Sequence, residues 1–77
     1  MSNEKFSYKI TEHIATLATY GNTTKELNKV SYNGAAPKWD LRNWKRENGE
    51  EKLLKGITLS DEEAKILMSA LAGAGLL

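Results

Sequence analysis

The residues best suited to chemistry lie in two short stretches, Trp39-Asp40-Leu41-Arg42-Asn43-Trp44 and Lys55-Gly56-Ile57-Thr58-Leu59-Ser60 running into Asp61-Glu62-Glu63. The first alternates rings and cations along what reads as a strand. Unpaired nucleobases expose flat π-faces that stack on Trp, Tyr or Arg, while their phosphates need cations close by. Successive strand residues point to opposite faces, so Lys38, Asp40, Arg42 and Trp44 should project together, and Trp39, Leu41 and Asn43 away from them. Two plainer readings stand beside this one. Both tryptophans could pack in a core or an interface, as large aromatics mostly do. Arg42 could sit in a surface ion pair with Asp40, a common and weak arrangement.

At 77 residues the chain has room for one domain, taken as 1–77, and a chain this short buries only about 60% of its unfolded surface. Help from a second subunit is therefore expected. Disulfides are excluded by the absence of cysteine, and a zinc site by a lone histidine, His13, with no thiolates to complete a shell. His13 has no evident nucleophile or acid partner, so it reads as an ordinary strand residue rather than a catalytic one. No cofactor, metal or catalytic residue is expected. The chain lacks an apolar run of membrane-spanning length and an apolar segment after a basic start, and the expected location is cytoplasmic. Net charge is only +1, yet residues 21–46 carry six cations against two acids, and residues 47–63 carry two cations against six acids. A local cationic surface can attract phosphate although the global charge is near zero, because fields beyond about 8–10 Å are screened at physiological salt.

The elements that must position these residues follow from periodicity. Residues 5–11 alternate Phe6, Tyr8 and Ile10 against polar neighbours and predict a strand; His13–Tyr20 predicts a second, with a turn at Thr11-Glu12. Lys25–Asn33 predicts a third, ended by Asn33-Gly34. Leu27 and Val30 differ in parity, which suggests a bulge there. Residues 38–44 form the fourth strand, 45–55 a charged loop with Asn48-Gly49 at its tip, and 56–59 a brief extended entry to a helix. Ser60 and Glu63 make a capping box, the first-turn acids complement the helix dipole, Ala64, Leu67, Met68 and Leu71 recur at helical spacing, and Gly73 can stop the helix. The expected fold is α+β, a four-stranded antiparallel curved sheet followed by a C-terminal amphipathic helix, with one sheet face left free for function.

Asp40-Leu41-Arg42-Asn43-Trp44, followed about ten residues on by Lys55-Gly56-Ile57-Thr58-Leu59-Ser60, resembles the positive cofactor 4 transcriptional coactivator family, whose core domain binds single-stranded DNA. The segment Thr24–Gly34 with Pro37-Lys38-Trp39 is similar to its bacterial YdbC-like branch, and the likeness covers about residues 24–68. The resemblance implies a homodimer of curved sheets with the C-terminal helices helping to form the interface. It assigns Arg42 to phosphate and base contact, Trp44 and Tyr32 to base stacking, and Lys55 to the vicinity of the DNA. Lys25 and Lys38 are added as inferred phosphate contacts. The resulting expectation is non-catalytic binding of single-stranded DNA, with RNA as an alternative, with little sequence preference and a role in transcription, replication or repair. The rival expectation is a protein-interaction module anchored by Trp39 and Trp44.

Overall fold

In the computed structural model, which describes residues 6–77, four antiparallel strands run in sequence order and a helix follows: β1 Tyr8–Tyr20, β2 Thr23–Tyr32, β3 Lys38–Glu47, β4 Glu50–Leu59 and α1 Asp61–Gly73. The sheet is open, so β1 and β4 are its edges. Lys5, at the start of the first expected strand, lies outside the described residues.

The first correction concerns β1, which is one continuous strand where the sequence suggested two joined at Thr11-Glu12. Its register against β2 slips between Ile10 and Glu12, between His13 and Ala15, and between Thr16 and Ala18. Each slip inserts one extra residue, so a two-residue alternation becomes a three-residue one. Tyr8, Ile10, His13, Thr16 and Thr19 therefore fall on one face. Thr11-Glu12 contains none of the residues that relieve a tight turn, and the chain passes straight through it. The bulge suspected in β2 falls on β1 instead, since β2 and β3 pair without interruption from Thr23↔Lys45 to Val30↔Lys38.

The second correction concerns residues 45–55. They form the end of β3, a two-residue turn and most of β4, not a charged loop. Asn48 and Gly49 both take positive φ, 54° and 77°, the pair of left-handed residues that a tight hairpin demands. Arg46 pairs with Glu51 across this hairpin and Lys45 with Lys52. Its strands are joined by charged side chains rather than an apolar stripe, which hides them from hydrophobic periodicity.

Register sorts the side chains onto two faces. The front carries Glu26, Asn28, Val30 and Tyr32 from β2, and Asp40, Arg42, Trp44 and Arg46 from β3. The back carries Leu27, Lys29, Trp39, Leu41 and Leu59, and α1 lies there, with the Trp39 indole Nε1 donating to Asp61 Oδ1 at 2.7 Å. Ser60 accepts from the Glu63 amide while the Glu63 carboxylate accepts from the Ser60 amide, so the expected capping box is present. Gly73 is the last helical residue. Ala74 caps the helix, and Gly75, at φ 100°, turns the chain away.

No residue of α1 is buried. Among the described residues the buried apolar side chains are Val30 and Trp44, both on the front. On the back, Leu67, Met68 and Leu71 of α1 stay 40%, 63% and 45% exposed above a groove floored by Leu27, Trp39 and Leu59.

Candidate nucleic-acid interface

The front of β3 carries Lys38, Asp40, Arg42, Trp44 and Arg46, and both of its guanidiniums are held by carboxylates. Arg42 Nε and Nη2 donate to Asp40 Oδ1 and Oδ2 at 2.7 and 2.8 Å, and Nη1 donates to the Leu54 carbonyl at 3.0 Å. Asp40 has no exposed surface, and its Oδ2 also accepts from Tyr32 Oη at 2.7 Å. The Arg42 guanidinium lies 5.7 Å from the centre of the Tyr32 ring. Hydrogen bonding to Asp40 raises the pKa of Arg42 against the opposing effect of burial. Burial first, then the hydrogen bond to Asp40, raises that of Tyr32, so its hydroxyl stays a donor.

A second unit of the same composition lies further along β3. Arg46 donates through Nη1 to Glu26 Oε2 at 2.6 Å and through Nε to Glu51 Oε2 at 2.8 Å, and its guanidinium sits 5.4 Å from the centre of the Trp44 ring. Burial would push the Glu26 carboxyl up, but hydrogen bonds from Arg46, Thr24 and Asn28 outweigh it and bring the pKa down to about 2. Tyr8 is raised to about 12, by burial first and then by the hydrogen bond it donates to Glu51 at 2.6 Å. Each unit is thus a carboxylate, a guanidinium and an aromatic ring, with the planar cation fixed before any ligand arrives.

Ionised Glu26 makes these bonds, and its pKa falls from 4.5 in the unfolded chain to about 2 in the fold. A lowered carboxyl pKa stabilises the native state above the unfolded value, and the gain disappears as pH drops through the folded one. Thermal melting should accordingly lose stability between pH 4.5 and about 2, and a Glu26→Gln variant should lose less over that window. Equal acid sensitivity of the two proteins would contradict the assignment.

The expected residues do not all meet. Tyr32 and Arg42 share the front and touch. Lys38 is exposed at the front margin, beside Val30. Lys25 is exposed on the back, paired with Asn43, and so is separated from Arg42 by the thickness of the sheet. Lys55 is exposed beside the irregularity where β4 passes Asn43.

Trp44 requires a correction. It is on the expected face, but its ring has no exposed surface: Tyr8 is tilted against it at 5.6 Å between ring centres and Arg46 lies over it. The Tyr8 side chain reaches from β1 across the curved sheet to Glu51 on β4 and closes the space above the indole. The ring therefore supports Arg46 and does not itself meet solvent. The cost of this burial is visible, since Trp44 Nε1 is enclosed without a hydrogen-bond partner. Trp44 is equally unable to anchor a partner protein.

Sequence reasoning missed Arg46, Tyr8 and Phe6. Phe6 is 62% exposed and packs 6.1 Å from Tyr8 and 5.9 Å from Tyr32, extending the aromatic surface from β1 to β2. The signal for Arg46 was the parity 40, 42, 44, 46, which is lost when β3 is ended at residue 44. Among the described residues no group of three or more His, Cys, Asp or Glu side chains could hold a metal ion, and no helix is long and apolar enough to cross a membrane.

Comparison with known proteins agrees with this geometry. The sequence profile of the family described as Transcriptional Coactivator p15 (PC4) matches residues 21–70, which span β2, β3, β4 and most of α1. An uncharacterised protein of Treponema pallidum (strain Nichols) is 36% identical over 75 residues, covering 96% of this chain and 86% of that protein.

Proposed function

Because the chain belongs to the Transcriptional Coactivator p15 (PC4) family, a family of nucleic-acid-binding, coactivator-like proteins, we propose that it binds single-stranded DNA on the front of its sheet, without chemistry on the strand. The observation that carries this reading is the pair of guanidiniums on the front, Arg46 with 39% and Arg42 with 13% of its side chain exposed, each laid near an aromatic ring and gripped by a carboxylate. A planar cation so fixed loses little freedom when a base stacks on it. The two lie four positions apart along β3, about 13 Å, so each meets a different nucleotide. Tyr32 and exposed Phe6 supply rings beside Arg42. Lys38 and Lys55 hold phosphates at the margins.

Two lysines neutralising two phosphates imply a shallow salt dependence, a log–log slope of about −1.4 on a single strand. Fluorescence anisotropy with a labelled 20-base single strand and its duplex across a salt series tests both points. The expected result is preference for the single strand with that shallow slope, and an RNA strand in parallel measures any selection at the 2′-hydroxyl. Equal affinity for strand and duplex would reject stacking.

The back face supports a homodimer. Three apolar side chains of α1 stand exposed above an apolar groove, while among the described residues the front contributes only Val30 and Trp44 as a buried apolar core. A second copy covering the groove supplies the apolar burial that one copy lacks. Light scattering should report twice the 8.6 kDa chain mass; a stable monomer at micromolar concentration would overturn this part of the reading.

A further inference from the structure

Beside the Arg46 unit the front face dips into a recess lined by Ile10, His13, Thr16, Glu26, Asn28 and Arg46. We propose that this recess receives the Watson–Crick edge of one unpaired base and selects bases that present an imino N–H beside a carbonyl: thymine, uracil or guanine. The proposal rests on the reading of the front face as a single-strand surface and adds to it a base preference.

Local structure builds the recess. The bulges after Ile10 and His13 re-aim β1 so that His13 and Thr16, three residues apart, share the front, where an unbroken strand would set them on opposite faces. The floor is polar and closed. Glu26 is 5% exposed and Asn28 has no exposed surface, and Asn28 Nδ2 donates to Glu26 Oε1 at 3.0 Å. That bond turns the Asn28 Oδ1 toward β1, where His13 Nδ1 lies 2.6 Å away and must donate. Nδ1 also lies 3.7 Å from Glu26 Oε1, and when the ring is neutral its hydrogen on Nδ1 leaves Nε2 as an acceptor, in an imidazole side chain that is 51% exposed.

The groups at the mouth match one base edge. His13 Nε2 lies 3.3 Å from Thr16 Oγ1, a long contact that an incoming donor can replace. An imino N–H would then donate to Nε2, and the flanking carbonyl oxygen would accept from the Thr16 hydroxyl or the Arg46 guanidinium. Adenine and cytosine present a bare ring nitrogen at that position and would set a lone pair against a lone pair. Glu26 and Asn28 are fully engaged below, so they hold the His13 ring and make no contact of their own.

The test compares oligo-dT of 20 residues with the same oligomer methylated at N3 of every thymine. Charge, length and stackable rings are kept, and the imino proton is removed. Wild type should bind oligo-dT about tenfold more tightly than the methylated strand, the lower part of the range for one well-made base contact. His13→Phe, which keeps a ring but no acceptor, should bind both strands alike, and so should Thr16→Val to a lesser degree; thermal melting of each variant shows that it is folded. Equal binding of the two strands by wild type, or an undiminished difference in folded His13→Phe, overturns the proposal while leaving the single-strand reading intact. Failure of wild type to bind either strand overturns both.

Discussion

Replacing Gly56 with alanine should destabilise the protein by about 3 kcal/mol or more, the upper part of the range for forcing a methyl group into occupied space. Gly56 lies opposite Arg42 in the β3–β4 ladder. A Cβ there would overlap Arg42 Cβ and lie 2.6 Å from the Leu41 carbonyl oxygen and 2.7 Å from Arg42 Cα. Two of these three atoms are backbone, so no rotamer change relieves the clash, and the strands must part. For a domain of this size the loss corresponds to a fall in melting temperature of about 10–20 °C. Strand separation also breaks the bond from Arg42 to the Leu54 carbonyl and tilts the guanidinium, so single-strand affinity should fall with stability. Gly73→Ala is the control, since nothing lies within 4 Å of its added methyl and the residue is helical; it should melt at or above the wild-type temperature. A Gly56→Ala protein as stable as wild type would contradict the close approach.

Arg42→Ala should be at least as damaging for a different reason. It leaves Asp40, with no exposed surface, holding a charge whose remaining side-chain partner is the Tyr32 hydroxyl. Removing one member of a buried pair costs about 3–5 kcal/mol. Binding should drop about tenfold or more, because a stacking platform worth ~1–3 kcal/mol per base disappears with it. The two effects can be separated. Adding Asp40→Asn to Arg42→Ala removes the stranded charge and should restore much of the stability without restoring affinity. Arg42→Lys keeps the charge but not the fork or the plane, and should fall between wild type and alanine in both measurements. Full recovery of binding in the double variant would show that Arg42 acts only by keeping the fold together.

The helix was legible to its capping box because Ser60, Glu63 and the apolar spacing all act locally. The sheet is legible as four-stranded and antiparallel, but β1 reads as two strands and most of β4 as a charged loop, so the count agrees because the two misreadings offset each other. In β1 three bulges change the period from two to three, and the information that places them lies in the pairing with β2, not in β1 itself. Near its turn β4 is held by an ion pair, Arg46 with Glu51, and periodicity of apolar residues is blind to it. Arg42 is legible from the parity of β3, whereas Tyr32 is reached only through the family resemblance, and the register of β2 against β3 is what sets both on the front. Trp44 was put on the right face and credited with the wrong exposure, since it is the reach of Tyr8 across the curved sheet that covers it. Lys25 was grouped with the front by proximity in sequence, and its register with Asn43 puts it behind.

Whether unpaired bases lie on the front of the sheet is tested most directly by mapping amide and side-chain chemical shifts during titration with a short oligo-dT strand. The account predicts that the largest changes fall on Tyr32, Arg42 and Arg46 and on the rings of Phe6 and Tyr8, with α1 and the back-face residues Leu27 and Leu59 little moved. Changes confined to α1, Lys25 and the back of the sheet, with the front unaltered, would contradict it.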